Sequence, residues 1–468
     1  MLISIKAKCF FIVGIFYLSL INMAYSQGQE TKPKNYLNLN WKQVATGMPD
    51  SWYSSDEAKI VAESVLKYQT DIGGWPKNSG FHNNSVNQEE WERIKITGVG
   101  ATFDNDATLT EMMFLTKVYT KINDERYRDS FMKALNYIFK AQYPNGGWPQ
   151  YYPYRKRKSA YSSHITYNDN AMVNVMRFLD DIVKEKSIFA SMQISDEMRV
   201  RAKQSFDKGV ECILRTQIIV EGKPKVWCAQ HDEFTLAPAG ARSYELPSFS
   251  GAESVGVTML LMDIENPSKE IINAVNGAVK WFENHKIERI KVKDIINEDG
   301  KKDRIVVKDS AAPAQWARFY DLETGKPFFC DREGVKKNTL AEIGLNRRTG
   351  YRWYTNAPEK VLERHPEWAR KFGIKPGHVI RTQKETQAAP IIAKKDAVAP
   401  APTATDIAKL EAEVGLNDEQ KSKVSALLEE LIEKRRAIKR DTGLSSEEKK
   451  TKMKALNEEI LGKGVLAT

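Results

Sequence analysis

A two-part sequence motif occurs twice in this chain, and it restricts the possible fold more than any other feature. Gly-Gly-Trp-Pro begins at Gly73 and again at Gly146, and an acidic cluster follows each copy, FDNDAT at 103–108 and YNDNAM at 167–172. Apolar residues at helical spacing precede each Gly-Gly-Trp-Pro and follow each acidic cluster. Because two independent features recur at a similar interval, the pattern indicates an internal repeat.

Each repeat predicts a helix, a long loop and a second helix. The expected helices are Asp56–Gln69, Tyr127–Gln142, Met198–Gln217, Ala252–Ile264 and Asn266–His285. Two more follow the acidic clusters, one through Leu109 to Val118 and one through Val173 to Leu179, and a surface hairpin is expected within Ile287–Ser310. Met198–Gln217 and Ala252–Ile264 belong to a degenerate third copy of the repeat. Helical hairpins with a common core close into a ring of inner and outer helices. We therefore predict an all-α toroid of about three helical-hairpin repeats with long loops and minor β-structure. The inner helices would begin at one end of the ring, where their positive dipole ends attract anions.

The two ends of the chain differ from its centre. Residues 1–26 combine a basic start, the apolar run Phe10–Leu20 and the small residues Ala24–Ser26, which is typical of a secretory signal peptide. The apolar run is shorter than the roughly 20 residues that a membrane span needs. We expect a secreted or periplasmic protein with a main domain at 27–380, an Ala/Pro-rich linker at 381–405 and a charged helical hairpin at 406–468. This C-terminal helical tail is interpreted as a solvated hairpin without chemistry.

The formal net charge of +10 predicts an acidic partner for an exported protein. No nucleic-acid-binding motif occurs, and the dense basic run Arg155–Lys158 is interpreted as a solvated loop tip. We expect an acidic polysaccharide as the partner, with no nucleic acid and no membrane involved.

Three cysteines remain after removal of the predicted signal peptide: Cys212, Cys228 and Cys330. One disulfide and three free thiols are both compatible with this odd number. No CxxC pair is present, so a structural zinc site is not expected.

The segment Trp227–Glu253 concentrates ionisable side chains between Gly and Pro residues. Long connections of this kind often carry function. We interpret this segment as a loop across the mouth of the ring. Arg242 would be its functional residue, and the two acidic clusters would face it. Further arginines lie among aromatic residues, at positions 318, 332, 347, 348 and 352. They suit bidentate carboxylate recognition, although arginines that simply lie over aromatic faces would give the same pattern.

The repeated motifs each allow more than one interpretation. Gly-Gly-Trp-Pro predicts a tight turn that buries its tryptophan, or alternatively a tryptophan that stacks on a sugar ring. The acidic clusters predict helix N-caps, oxygen ligands for a hard cation such as Ca²⁺, or an acid/base carboxylate pair for glycoside hydrolysis. The residues alone leave these alternatives open.

Several motifs together resemble the family 10 pectate lyases. They lie in order between Trp52 and His378: GGWPKN, FDNDAT, GGWPQYYP, YNDNAM, APAGARSYELPSFSGAES, PAQWARFYDLETGKPFFCDREG and NRRTGYRWY. The resemblance implies a secreted protein with an (α/α)3 toroid fold. It also implies cleavage of polygalacturonate by calcium-assisted β-elimination, which gives unsaturated oligogalacturonides.

The resemblance also assigns roles to particular residues. Arg242 matches the Brønsted base, and Arg318, Arg332 and Asn105 match substrate-binding residues. Asp104 and Asp169 match the acidic positions at the calcium centre. Five more residues are expected in the cleft without an assigned role: Lys77, Tyr152, His231, Asp232 and Tyr244.

Three hypotheses follow for the function. The first is a secreted, calcium-dependent pectate lyase that acts as a monomer at alkaline pH, because its arginine base must lose a proton. The second is a glycoside hydrolase on the same fold, with Asp104 and Asp169 as acid and base. The third is a non-catalytic protein that binds an acidic polysaccharide.

Overall fold

The computed structural model describes residues 35–85, 99–154 and 161–373, together with positions 88, 91, 92, 94, 434, 448, 451, 452, 455 and 456. The chain divides into two compact units, Met1–Pro390 and Ile391–Thr468. The predicted signal peptide, the linker, the Arg155–Lys158 run and all but six positions of the 406–468 hairpin lie outside the described residues, so these predictions stay predictions.

Helices are the main secondary structure of the described domain. They are α1 (Trp41–Gly47), α2 (Asp56–Lys67), α3 (Leu109–Ile122), α4 (Glu125–Ala141), α5 (Ala171–Val183), α6 (Asp196–Thr216), α7 (Glu253–Met262), α8 (Lys269–Asn284), α9 (Leu345–Gly350) and α10 (Pro358–Lys371). The five helices that were predicted with bounds are confirmed, with ends shifted by up to three residues. The two helices predicted after the acidic clusters are confirmed as α3 and α5. None of these helices, nor any other in the described part of the chain, is both long and apolar enough to traverse a bilayer.

Three helical hairpins build the domain. Helix α3 packs against α4, α5 against α6, and α7 against α8. The inner helices α3, α5 and α7 contact one another in sequence, α2 packs on the first hairpin, and α10 packs on the third. This arrangement confirms the predicted (α/α)3 toroid.

The strands are short and lie in the connections. They are β1 (Ile165–Thr166), β2 (Ile219–Val220), β3 (Lys223–Pro224), β4 (Gln230–His231), β5 (Pro238–Ala239), β6 (Phe249–Ser250), β7 (Ile290–Ile296), β8 (Lys302–Lys308), β9 (Trp316–Ala317), β10 (Phe319–Tyr320), β11 (Phe329–Cys330), β12 (Lys336–Lys337) and β13 (Tyr354–Thr355). Antiparallel β1, β4 and β5 form one sheet, and β6 pairs with β10. Strands β7 and β8 form the predicted surface hairpin, with Ile290 opposite Lys308.

The Gly-Gly-Trp-Pro segments are tight turns that bury their tryptophans. Trp75 and Trp148 are fully buried, and each indole N–H donates to a carbonyl of the preceding helix, Val65 at 2.8 Å and Ile138 at 2.9 Å. Gly73 lies at φ +109°, where a Cβ atom would meet the Lys133 carbonyl oxygen at 2.4 Å. The turn interpretation is therefore confirmed, and sugar stacking by these two tryptophans is wrong.

The third repeat keeps this turn although it has lost the motif. The Trp227 indole donates to the Ile213 carbonyl at 2.7 Å. The Gln217 side chain donates to the carbonyls of Lys225 and Ala274, so it ties the turn to helix α8. Gln69 and Gln142 make the corresponding pairs of bonds in the first two repeats. Repeated side-chain contacts thus identify the degenerate copy.

Serine residues cap three of the outer helices. Ser55, Ser195 and Ser268 cap the outer helices α2, α6 and α8 through their hydroxyl groups. The inner helices α5 and α7 begin without a side-chain cap. In α7 the backbone N–H of the first residue, Glu253, donates instead to the Ser250 hydroxyl oxygen at 3.0 Å.

The three cysteines are buried free thiols. Of the two alternatives that the sequence left open, the structure shows three thiols and no disulfide among Cys212, Cys228 and Cys330.

Candidate active site

Two short turns hold the acidic clusters. We call Asp104–Asp106 the first corner and Asn168–Asn170 the second corner; each is a 3-10 turn ahead of an inner helix. The first residue of each corner is buried, Asp104 with 3% and Asn168 with 5% of its surface exposed. The other four residues have left-handed backbones: Asn105 (φ 54°), Asp106 (φ 61°), Asp169 (φ 50°) and Asn170 (φ 60°). Asn and Asp tolerate this conformation better than most residues, so the sequence favours the turn.

The corners are equivalent position by position, with Asp-Asn-Asp in one and Asn-Asp-Asn in the other. Simple helix capping accounts for neither. Thr108, not a corner residue, is the N-cap residue of α3. Asn170 is the N-cap residue of α5, but its side chain makes no capping hydrogen bond.

The first corner is paired with a lysine from its own repeat. Lys77, next to the first Gly-Gly-Trp-Pro, donates through Nζ to Asp104 Oδ2. The other carboxylate oxygen of Asp104, Oδ1, is buried and has no hydrogen-bond partner among the described residues. A buried carboxylate oxygen without a partner is costly unless a cation or donor reaches it. Asn105 donates through Nδ2 to Asn78 Oδ1 at 2.9 Å.

Asp106 links the first corner to the neighbouring repeat. Its Oδ2 accepts from Lys42 Nζ at 2.5 Å, and its Oδ1 accepts from Asn174 Nδ2 at 2.6 Å. Both carboxylate oxygens of Asp106 therefore already have donors, whereas Asp104 has one oxygen, Oδ1, without a partner among the described residues.

The second corner is paired with a distant arginine. Arg318 lies between β9 and β10 with only 8% of its surface exposed. Its Nη2 donates to Asn168 Oδ1 at 2.9 Å and to Glu253 Oε1, and it lies 3.8 Å from Asp169 Oδ1. Burial disfavours the charge of Arg318, but Glu253 above all holds its pKa above the ordinary value.

Negative charge is concentrated where the two corners face each other. Burial raises the pKa of Asp169; Arg318 opposes this increase, while Glu253 and Asp104 add to it. Asp104 of the first corner thus contributes to the electrostatic environment of Asp169 in the second corner. Together with the unpartnered Asp104 Oδ1, this surplus of carboxylates fits a bound hard cation.

Arg242 is held by a carboxylate from its own loop. Its Nε donates to Glu245 Oε2 at 2.8 Å, and its Nη2 donates to Glu245 Oε1 at 2.5 Å. Tyr351 donates through its hydroxyl to the same Oε1 at 2.7 Å. Burial disfavours the charged forms of both partners, but their pairing holds the pKa of Arg242 above and that of Glu245 below the ordinary values.

Tyr351 connects the two arginines. Its ring centroid lies 4.6 Å from Arg318 Cζ and 5.7 Å from Arg242 Cζ. Arg242, Arg318 and Asp169 therefore belong to one continuous cluster of charged and aromatic groups. The structure does not join Arg332 to it: this residue is exposed in the turn between β11 and β12, and its side chain has no hydrogen bond or ion pair with a described residue.

The residues expected in the cleft differ in their location and in their contacts. Lys77 contacts Asp104, and Tyr244 lies under Arg242 with its ring centroid 4.9 Å from Cζ. His231 is a fully buried core residue whose pKa is lowered to about 4, chiefly by burial. Asp232 Oδ1 accepts the backbone N–H groups of Phe234 and Thr235. Asp232 therefore stabilises the turn of its own loop.

Glu253, Glu245 and Tyr351 are members of the cluster that were not predicted from the sequence. One signal was available for Glu245, because it follows Arg242 at a spacing that allows a local ion pair. No local sequence pattern predicts the contact of Glu253 with Arg318, because 65 positions separate the two residues.

The geometry also brings together His164, Asp232 and Glu233, whose potential ligand atoms all lie within 4.8 Å of one another. In the part of the chain that the structure describes, this is the one group of three such residues at that spacing. His164 Nδ1 already pairs with Glu233 Oε2 at 2.8 Å. The predicted metal ligands Asp104 and Asp169 are not members of this group.

Comparisons with known proteins agree with the fold. A family model described as pectic acid lyase matches residues 69–362. A solved family 10 polysaccharide lyase from Cellvibrio cellulosa is 35% identical, with a TM-score of 0.58, and the match covers 71% of this chain and 95% of that one. An aspartate-to-alanine variant of a family 10 polysaccharide lyase from the same organism, in complex with trigalacturonic acid, is 34% identical with a TM-score of 0.57, covering 69% and 96%. No curated protein sequence matches the chain.

Proposed function

Since this chain belongs to the pectic acid lyase family, family 10 of the polysaccharide lyases, and is a pectate lyase, we propose that it cleaves the α-1,4-galacturonan backbone of pectate by calcium-assisted β-elimination with Arg242 as the base. The products would be unsaturated oligogalacturonides. The relative that was solved with trigalacturonic acid supports the same substrate class here.

The observation that supports this chemistry best is the continuous cluster of Arg242, Tyr351, Arg318 and Asp169. It combines a base candidate, a fixed cation and carboxylates in one place. Arg318 is buried, and its hydrogen bonds to Glu253 and Asn168 fix the position of its guanidinium group. The group therefore does not have to move when negative charge develops on a substrate carboxylate.

The substrate proton to be removed lies at C5, next to a carboxylate group. We assign Arg318, Arg332 and Asn105 to substrate binding, with the arginines suited to carboxylate groups. Asp104 and Asp169 would hold Ca²⁺, which when bound would withdraw charge from the substrate carboxylate and make the C5 proton more acidic. Arg242 would accept that proton.

The protonation state of Arg242 sets the expected pH dependence. Its pairing with Glu245 holds its pKa above the ordinary value, so the protonated form dominates in the free protein at neutral pH. A base must be deprotonated before it acts. Activity should therefore rise with pH and have an alkaline optimum.

We also propose an export route and a domain plan. Residues 1–26 would direct the chain to the periplasm or the exterior, and 27–380 would form a monomeric catalytic domain. Residues 381–405 would link it to the helical hairpin at 406–468. Mass determination of the exported protein tests the cleavage site, and sedimentation tests the monomer.

An assay on polygalacturonate tests the reaction. Wild-type protein should release conjugated products that absorb in the ultraviolet, and a chelator should abolish their release. Arg242→Ala should lose nearly all turnover, at least about 1,000-fold. Arg126→Ala is the matched control, because Arg126 pairs with Glu63 and Asp124 on the exposed surface. Full activity of Arg242→Ala would refute its role as base, and reducing ends without the chromophore would refute elimination in favour of hydrolysis.

A further inference from the structure

We propose that Glu245, supported by Tyr351, is a positioning residue that selects Nη1 of Arg242 as the nitrogen that receives the C5 proton. This inference rests on the proposed function and adds to it which atom acts and what holds it.

The geometry of the pair leaves one nitrogen free. Glu245 accepts from both Nε and Nη2 of Arg242, and its Oε2 also accepts from the Arg242 backbone N–H at 3.1 Å. Nη1 has no hydrogen-bond partner among the described residues. Glu245 has 6% of its surface exposed and Tyr351 has 9%, so both are fixed by packing, whereas the Arg242 side chain is 46% exposed.

A neutral guanidine has one imine nitrogen, whose lone pair is the basic one, and the carboxylate decides which nitrogen this is. Nε has a single hydrogen and must keep it to donate to Glu245, since an ionised carboxylate can only accept. Nη2 also donates to Glu245, and an amino N–H is a stronger donor to a carboxylate than an imine N–H. The carboxylate therefore favours the basic lone pair on Nη1, which donates to no described residue. This is the role that an aspartate plays for histidine in serine proteases, where it fixes the tautomer and stabilises the cation that forms during the reaction.

The charged and titratable groups around Arg242 support the assignment of the lone pair to Nη1. Glu245 and Tyr244 face it from its own loop, and Tyr351 faces it from the segment after α9. Arg347, from α9, lies over the Tyr244 ring, Tyr161 acts on Tyr244, and Arg318 acts on Tyr351. Glu245 is the one carboxylate in direct contact with Arg242 in the described part of the chain.

The step balances without another reactant. The C5 proton moves to Nη1, and the C5–H electron pair forms the C4–C5 double bond. The C4–O bond breaks, and its electron pair leaves with the glycosidic oxygen, which takes a proton from water. Arg242 becomes a guanidinium ion whose charge Glu245 compensates, and it later returns the proton to solvent.

The decisive variant is Glu245→Gln, which keeps the size of the side chain. Its amide can donate to Nε or Nη2 and so stabilises the lone pair on the wrong nitrogen. We expect kcat to fall by about 100-fold or more with KM nearly unchanged. We also expect the acidic limb of the pH–rate profile to move to lower pH, because the charge that favours the guanidinium ion is gone.

Tyr351→Phe provides a second, smaller test. It removes one hydrogen bond from Glu245 and leaves its charge, so kcat should fall by only a few-fold. The acidic limb should move in the opposite direction, to higher pH, because the less stabilised carboxylate attracts the guanidinium proton more strongly. Glu63→Gln is the matched control, since it breaks the same kind of bidentate pair, with Arg126, on the exposed surface.

The outcomes separate this inference from the proposed function. Wild-type kcat in Glu245→Gln, or a lower kcat with an unmoved acidic limb, would overturn the positioning role while Arg242→Ala could remain inactive. Full activity of Arg242→Ala would instead overturn the assignment of the base. If Glu245→Gln does not fold, the direction of the shift in Tyr351→Phe decides.

Discussion

The first and second corners turn the chain in the same way, but their charged and neutral side chains occupy opposite positions. Asp104 is buried where the second corner has Asn168, and Asn105 stands where it has Asp169. The cations differ as well. Lys77 comes from the first repeat itself, whereas Arg318 reaches Asn168 across 150 positions of sequence. The repeat thus determines the backbone, and separate side chains determine the electrostatics.

The contrast continues into the inner helices. Glu111 in α3 and Val175 in α5 each lie five residues after their corner, and both are buried. Glu111 accepts from Trp41 Nε1 at 2.6 Å and from the Thr108 backbone N–H at 2.5 Å. The first repeat therefore contains a buried titratable group where the second has an apolar side chain.

Removal of the cation at each corner should give the largest difference. Arg318→Ala leaves Glu253, 6% exposed, without its counter-charge, which should lower the free energy of unfolding by about 3–5 kcal/mol. Lys77→Ala also leaves a buried carboxylate, Asp104, but it should cost only about 1–2 kcal/mol. The Lys77 side chain is 30% exposed, so its removal opens a path for water to hydrate Asp104, whereas the Arg318 side chain is 10% exposed. Urea denaturation of both variants measures the difference, and equal losses would break the comparison.

The second prediction concerns Asp104→Asn, which replaces the buried carboxylate of the first corner by the amide that the second corner has at the same position. Asp104→Asn removes the charge at the buried oxygen that has no partner in the described residues, so the half-saturating Ca²⁺ concentration in the polygalacturonate assay should rise roughly 100-fold. Asp106→Asn is the control in the same corner and should change it little, because Lys42 and Asn174 already occupy both oxygens. A similar effect of the two substitutions would contradict the assignment of Asp104.

The smallest expected effect concerns Glu111, whose pKa is raised to about 7, chiefly by burial. The stability that its protonated form contributes is complete below pH 4.5 and is lost as the pH rises through about 7. Between pH 5.5 and 8.5, wild-type protein should lose about 2 kcal/mol of unfolding free energy relative to Glu111→Gln. Denaturation curves at both pH values provide the measurement, and parallel pH profiles would show that Glu111 does not titrate there.

Much of the fold could be predicted from local patterns. The helices have apolar residues at helical spacing, and the Gly-Gly-Trp-Pro turns need glycine at positions such as Gly73. The corner sequences favour left-handed residues, so their shape follows from residue type. Residue type does not determine which cations pair with the corners, because Arg318 and Lys77 reach them through packing of the loops.

The sequence by itself determined the repeated hairpins, the buried tryptophan turns and the family, since these depend on residue type and short spacing. Only the tertiary structure decided that Glu245 and Tyr351 hold Arg242, that Glu253 holds Arg318, and that Arg332 stays apart from both. The physical reason is that secondary structure depends on neighbours along the chain. An ion pair depends instead on where folding places two side chains, and contacts such as that of Arg318 with Asn168 join positions that no local pattern relates.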